Sequence, residues 1–428
     1  MINKKHLLIG CSVLLFVVVA LVGVGAYFVY RAFRGTLAEM SKAPPELSQT
    51  GVLVGDGLLS KDIFANDRRL SKIEAMTFGP VEPGNPDELC AVSGFGAMFL
   101  DSSGAVKRYV PYGMQQVKVL GMKLQAAGAR ISRFQIIDLG GAGECSFLAR
   151  GGQMGAELIG HDGKSVWLLG GGLDPRAHAT DMIAGDLNGD GKIEFVGLYE
   201  LGDKGIVLYD ASLNELWSKP EMEASHVELL DAEGGKKSIA CSTYKRINIL
   251  DSQGNVLKTL EIPTYFRHEF KILTWPPSSG TEYLMCSDED RVDLYDLNGK
   301  LRFTCEMPGG SHLERITAEA FTVGKVCYLA ILASSQWSGN RSLFCVFGLP
   351  ERPVINLFAR QSPVYREVLD QSYNSMTKLP ADESGQESIL LGGVGQILRY
   401  RPVSLPSVPP KPPTSSAGPG KRRSPTGP

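Results

Sequence analysis

One pattern recurs along this chain and restricts its fold more than any local signal: a strand ending in an aspartate, a turn of small residues, then another apolar strand. It reads MFLDSSGAVKRYV at Asp101, IGHDGKSVWLL at Asp162 and VLYDASLNELW at Asp210. It continues as NILDSQGNVLKTL at Asp251 and DLYDLNGKLRFTC at Asp296, with weaker copies at Gly348 (CVFGLPERPVINLF) and Tyr400 (QILRYRPV). The interior spacings of about 40–50 residues match the length of a four-stranded propeller blade. A longer first interval accommodates an insertion around Pro111 to Ala129.

Each unit also opens with a strand of polar/apolar alternation, at Lys72 (KIEAM), Arg133 (RFQII), Asp181 (DMIAG), His226 (HVELL), Glu269 (EFKIL), Glu314 (ERITA) and Tyr365 (YREVL). Alternate side chains of a strand go to opposite faces, so these openings suit the innermost strand of a blade. Glycine is abundant at 49 of 428 residues, as many short strands and tight turns require. The expectation is an all-β fold, a seven-bladed β-propeller over residues 70–402, with six or eight blades bounding the count.

The ends read differently. After the short basic N-terminus of residues 1–6, Leu7 to Tyr30 carries no charge. That run is long enough for a helix to cross a hydrocarbon core of about 30 Å. An uncleaved transmembrane signal anchor over 7–30 is favoured over a signal peptide cut after Ala26, because the run exceeds an ordinary signal core. Cys11 is no lipidation site, since nearly all the apolar segment follows it. Residues 31–69 read as a juxtamembrane linker, and 403–428 as a disordered Pro-rich tail. Lys4 and Lys5 stand against Arg31, Arg34 and Lys42, so the positive-inside count is close to a tie. A net charge of −2 leaves no basic footprint for nucleic acid. The cysteines outside the span form no CxxC pair and stand in strand contexts, as small buried hydrophobes.

One segment spells out a metal site. In GDLNGDGKIEFVG, Asp186, Asn188, Asp190 and Glu194 occupy positions 1, 3, 5 and 9 of a calcium-loop pattern, and Gly191 supplies the turn at position 6. A hard cation needs six to eight oxygens, which these side chains, the Lys192 carbonyl and water could supply. Position 12 is Gly197, which excludes an EF-hand, and the flanks read as strands. The competing reading is a plain Asn-Gly/Asp-Gly hairpin turn.

This loop between strands resembles the FG-GAP/VCBS repeat family, known from bacterial surface proteins and the propeller of integrin alpha subunits. The resemblance implies Ca2+ held by Asp186, Asn188, Asp190, Lys192 (main chain) and Glu194, as a structural ion. It covers one blade well; the related segments at Asp138 and Asp231 lack the full set. At typical extracellular affinities of about 10⁻⁴–10⁻³ M, such a site fills outside the cell, which favours an extracytoplasmic domain on a single-pass membrane protein. A weaker likeness to quinoprotein propeller repeats rests on Trp167 and Trp217 and speaks to architecture alone.

No catalytic motif stands out: there is no GxSxG, HExxH or Walker loop. His178, His226, His268 and His312 recur near the blade openings, and Glu74, Glu228 and Glu367 lie in the expected opening strands. These read as turn residues and a hydrated channel lining. The leading expectation is therefore a binding or scaffolding module with a protein or carbohydrate ligand. The alternatives are a carbohydrate-active enzyme with its site at the channel mouth, or an envelope-assembly factor.

Overall fold

The computed structural model describes residues 50–403, less a set of short connections between strands, the longest at 170–178, 263–269, 308–314 and 350–359. The expected span at 7–30, the basic start at 1–6 and the tail beyond residue 403 lie outside the described residues. No helix among the described residues is long and apolar enough to cross a membrane.

Two strands come first, β1 (Gly51–Val54) and β2 (Leu59–Asn66). Blade 1 follows as β3 (Ile73–Gly79), β4 (Glu88–Ser93), β5 (Gly96–Leu100) and β6 (Val106–Pro111). The insertion carries a hairpin of β7 (Gln116–Val119) and β8 (Met122–Gln125). Blade 2 is β9 (Ile131–Asp138), β10 (Cys145–Gly151), β11 (Gly155–Ile159) and β12 (Ser165–Leu169). Blade 3 is β13 (Asp181–Gly185), β14 (Glu194–Tyr199), β15 (Gly205–Tyr209) and β16 (Glu215–Lys219). Blade 4 is β17 (His226–Asp231), β18 (Lys237–Thr243), β19 (Arg246–Leu250) and β20 (Val256–Glu261). Blade 5 is β21 (Lys271–Thr274), β22 (Glu282–Asp288), β23 (Arg291–Asp296) and β24 (Leu301–Glu306). Blade 6 opens with β25 (Arg315–Val323), β26 (Val326–Ser334) and β27 (Ser342–Gly348). The chain then lays β28 (Arg360–Gln361) parallel to β24 on blade 5 before β29 (Tyr365–Leu369) completes blade 6. Blade 7 has β30 (Ser375–Leu379), β31 (Ser388–Gly392) and β32 (Gln396–Pro402), and its fourth strand is β2.

The fold is a seven-bladed β-propeller. Each innermost strand touches both neighbours in the order β3, β9, β13, β17, β21, β25, β30 and back to β3, so the ring is closed. Its core is divided: seven apolar clusters of described residues each fill the junction between two adjacent blades. A blade left without a neighbour would expose one whole face, which is why closure matters.

The repeated aspartate has a clear local job. Asp101 Oδ1 accepts the amides of Ser103 (2.9 Å) and Ala105 (3.0 Å), which caps the turn between the third and fourth strands. Asp210, Asp251 and Asp296 accept the equivalent pairs of amides. The fourth turn residue takes a positive φ and is glycine at 104, 254 and 299; blade 3 forces Leu213 into that conformation at 62°. Blade 2 corrects the expected register, because Gly160, not Asp162, holds the aspartate position: its amide donates to Lys164 O at 2.8 Å.

Three further expectations are corrected. The linker expected over 31–69 includes β1 and β2, so the propeller begins at residue 51 rather than 70. The Tyr365 strand is the outer strand of blade 6, and blade 7 opens at Ser375. Glu367 therefore leaves the set of opening-strand carboxylates. The common cause is that the N-terminal segment supplies the last strand of blade 7, so the C-terminal end needs only three.

A polar cluster fixes this joint. Glu367, 2% exposed, accepts the hydroxyls of Tyr365 (2.7 Å) and Tyr400 (2.8 Å) and the Lys61 ammonium (2.5 Å). Asp62 pairs with Arg399 and Arg401 across β2 and β32 at 2.6 and 2.9 Å, and the Arg399 guanidinium holds its carboxyl below the usual range. Removing one member of a buried charged cluster leaves the others without a counter-charge or acceptor. Glu367→Ala is expected to destabilise the fold by about 3–5 kcal/mol in urea titrations, with Glu367→Gln recovering part of the loss.

Candidate functional site

The calcium-type loop joins the first two strands of blade 3. Leu187 and Glu194, 1% and 5% exposed, pin it to the blade. Asp186 Oδ1 accepts the Gly189 amide at 2.7 Å and Oδ2 the Gly191 amide at 2.9 Å. Asn188 Oδ1 accepts the Asp190 amide, and Asp190 Oδ1 the Lys192 amide, both at 2.8 Å. Glu194 Oε2 accepts the Leu187 amide at 2.9 Å, while Asn188 Nδ2 donates to Oε1 at 3.2 Å. Gly189 and Gly191 take φ of 80° and 81°, the left-handed turns the sequence pattern calls for.

Burial pushes the Glu194 carboxyl above its usual range, and the nearby Asp190 and Asp186 charges add to the rise, against the Leu187 amide. The donor set is all oxygen and the local charge is negative, so its chemistry fits a hard cation. The oxygens accept loop amides, and among the described residues no group of three or more His, Cys, Asp or Glu side chains is arranged to hold a metal ion.

A second cluster lies around the axis, where the opening strands of blades 2, 3 and 4 meet. Asp181 is fully buried and receives His226 Nδ1 at 2.7 Å, Arg133 Nη2 at 3.4 Å and Arg150 Nη1 at 3.6 Å. The Val227 amide donates to it at 3.0 Å. Glu228 Oε1 takes Arg133 at 3.0 Å and His226 Nε2 at 3.2 Å. Gln135 joins blades 2 and 3 by donating to Ala184 O at 2.7 Å and accepting the Ala184 amide at 3.0 Å.

Further around the ring, Lys271 Nζ donates to Thr317 Oγ1 at 2.8 Å and Lys378 pairs with Glu387 at 3.0 Å. Inner-strand charges thus alternate in sign: Arg133, Asp181, His226 with Glu228, Lys271, Glu319, Lys378 and Glu74.

Burial alone would lower His226, but Asp181 and Glu228 outweigh it and hold the imidazolium up at about 9. Burial would raise Asp181 and Glu228; Arg133 and His226 outweigh it and keep both carboxyls low, that of Asp181 well below the usual range. An imidazole protonated through neutrality and flanked by two carboxylates is a poor general base. Its contacts with Arg133, Asp181 and Glu228 make it part of an ionic lock joining blades 2, 3 and 4. Burial pushes Glu319 up to about 7 despite Lys271 and Lys378.

Of the residues singled out in the sequence, the structure brings His226 and Glu228 together and pairs Glu74 with Lys72 at 3.2 Å. His178, His268 and His312 lie outside the described residues. The cysteines at 90, 145, 241, 286, 305, 327 and 345 are buried, as their strand contexts implied. Burial pushes the Cys241 and Cys345 thiols up to about 12, so they are no nucleophiles near neutrality. Sequence reasoning did not find Arg133 and Asp181 as partners, although charged residues at successive blade openings were the available signal.

The His226 proton has a measurable signature. A raised folded value means its contribution to stability is complete below about 6.5, its ordinary value, and is lost as pH climbs through about 9. Thermal melts from pH 6 to 10 are expected to show that decline. Asp181→Asn should flatten it and cost about 3–5 kcal/mol at pH 7. Glu319→Gln is expected to stabilise the chain more at pH 8 than at pH 4, because the cost of the buried carboxyl begins above its ordinary value of 4.5 and is complete once pH exceeds about 7.

No family model matches the chain, and no curated protein does. Among solved structures it is similar to the crystal structure of BBS1N in complex with ARL6DN, soaked with lead, at TM-score 0.51 and 8% identity over 84% of this chain and 99% of that one. The mercury-soaked crystal of the same complex gives TM-score 0.50 and 9% identity over the same shares of 84% and 99%. At such identities the likeness is one of fold.

Proposed function

We propose that this propeller is a protein-binding scaffold of the FG-GAP/VCBS kind, held at a membrane by residues 7–30 with the propeller on the extracytoplasmic side. The observation that carries the binding role is the construction of one end of the ring. Loops between first and second strands, and between third and fourth strands, leave a blade at the same end. There the Asp186–Glu194 loop and the aspartate-capped turns of blades 1, 3, 4 and 5 are all braced by their own amides. Rigid loops on a closed ring make a recognition surface with little ordering cost. The likeness to BBS1N, captured in a complex with ARL6DN, supports a protein partner over other ligand classes.

In this reading Ca2+ takes oxygens from Asp186, Asn188, Asp190, Glu194 and the Lys192 carbonyl, and its chemistry there is structural. Adding calcium at 10–100 times a dissociation constant of about 10⁻⁴ M should raise stability by about 1–3 kcal/mol. Asp186→Ala and Asp190→Ala should abolish that gain in calorimetric melts, and an unchanged melting temperature on adding calcium would remove the metal. For binding, affinity capture from detergent-solubilised membranes should recover a protein that Asp186→Ala weakens or chelation releases. Equal recovery under all three conditions would place the binding surface elsewhere.

A further inference from the structure

The first strand of blade 6 carries an acid that the ionic lock does not use. In β25 the register pairs Thr317 with Leu332 and Glu319 with Ala330, and in β30 it pairs Lys378 with Ile389. Leu332, Ala330 and Ile389 all belong to the apolar cluster between blades 6 and 7. Directly paired residues share a sheet face, so Glu319 and Lys378 face one another across that joint. Lys271 of blade 5 reaches Thr317 Oγ1 at 2.8 Å, which brings its ammonium to the face that carries Glu319 two residues on.

Both ammonium groups act on Glu319 by charge, yet each is in contact with another acceptor. Lys271 is held by Thr317 and also acts on Glu228, while Lys378 is held by Glu387 at 3.0 Å. Glu387 in turn accepts the Thr322 amide through its other carboxylate oxygen at 2.6 Å. Thr322 is the next-to-last residue of β25, and Glu387 stands immediately before β31. The chain of contacts therefore runs from the axis to the loop-bearing end of blades 6 and 7. Tyr328 of β26, paired with Phe321 on the same face, keeps its proton because burial pushes its hydroxyl up.

Glu319 changes charge close to neutrality, since burial pushes its carboxyl up from 4.5 to about 7. As a neutral acid it needs no counter-charge, and Lys378 rests on Glu387. Once ionised it is a partly buried carboxylate, costly to leave without a direct partner, beside two ammonium groups on flexible stems. Lys378 loses little by moving, because it exchanges one carboxylate for another. Glu387, with a side chain 19% exposed, then gains more from turning to water than from staying against the Thr322 amide.

We propose that Glu319 is a proton-operated latch: on losing its proton it draws Lys378 away from Glu387, which frees the Thr322 amide and loosens the loop-bearing end of the joint between blades 6 and 7. Lys271 braces the ionised carboxylate from blade 5. The changeover lies above the ordinary value of 4.5 and no higher than about 7, because pairing pulls the carboxyl back down. The latch concerns the fold of this end and stands whether or not a partner docks there.

Hydrogen exchange in the detergent-solubilised full chain tests it at pH 5 and pH 8, with rates corrected for the intrinsic pH dependence of amide exchange. The Thr322 amide is expected to be several-fold less protected at pH 8, while the buried amides of β5 in blade 1 hold their protection. Glu319→Gln, which cannot ionise, should keep the pH 5 level at both values. Lys378→Met should show the lower level at both. Protection of Thr322 that is unchanged between pH 5 and pH 8 in the wild type, or that falls equally in Glu319→Gln, overturns the latch. The wild-type comparison needs no substitution, so it can refute the latch even where a variant disturbs the fold.

Discussion

Everything in this molecule depends on the pairing of β2 with β32. The core lies between blades, so no blade owns a complete one, and a propeller with a single open joint would expose two sheet faces and an unpaired edge. Here the last blade receives its fourth strand from the beginning of the chain, locking residues 59–66 onto 396–402 in antiparallel register. The preceding strand β1 reaches across to blade 6, so one short segment ties both sides of the joint. Buried Glu367, with two tyrosines and Lys61 around it, gives that joint a polar fastening that strand pairing alone would lack.

Around the axis the same problem is met electrostatically. Inner strands from neighbouring blades approach closely there, and charges of alternating sign let them do so without burying an unpaired ion. The Asp181 network is the densest part of this belt. Its ion pairs join the inner strands of three blades, so this part of the axis is braced by charge as well as by packing.

The repeat was legible because its turn has strict chemistry. An aspartate must accept two amides and a glycine must take a positive φ, so both residues mark the chain at blade intervals. The loop at Asp186–Glu194 was legible for the same reason. What the sequence concealed was membership across the closure. Leu59–Asn66 and Tyr365–Leu369 alternate like any strand, and nothing local tells an outer strand from an opening one. That distinction is set by partners more than 300 residues away in the chain, as with Asp62 and Arg399. Asp162 misled because blade 2 places glycine where its relatives carry aspartate, two residues earlier. The ionic network was partly visible, as charges at blade openings, but the pairing of Arg133 with Asp181 and Glu228 depends on how three blades meet.

The most direct test of this account is to remove the closing segment. A chain starting at residue 50 should unfold in one cooperative transition in urea, at the midpoint of the full-length protein. A chain starting at residue 67 should lose that transition and regain it when a peptide spanning residues 50–66 is added in trans. Cooperative unfolding of the shorter chain at an unchanged midpoint, with no response to the peptide, would contradict the view that the ring is held by its N-terminal strands.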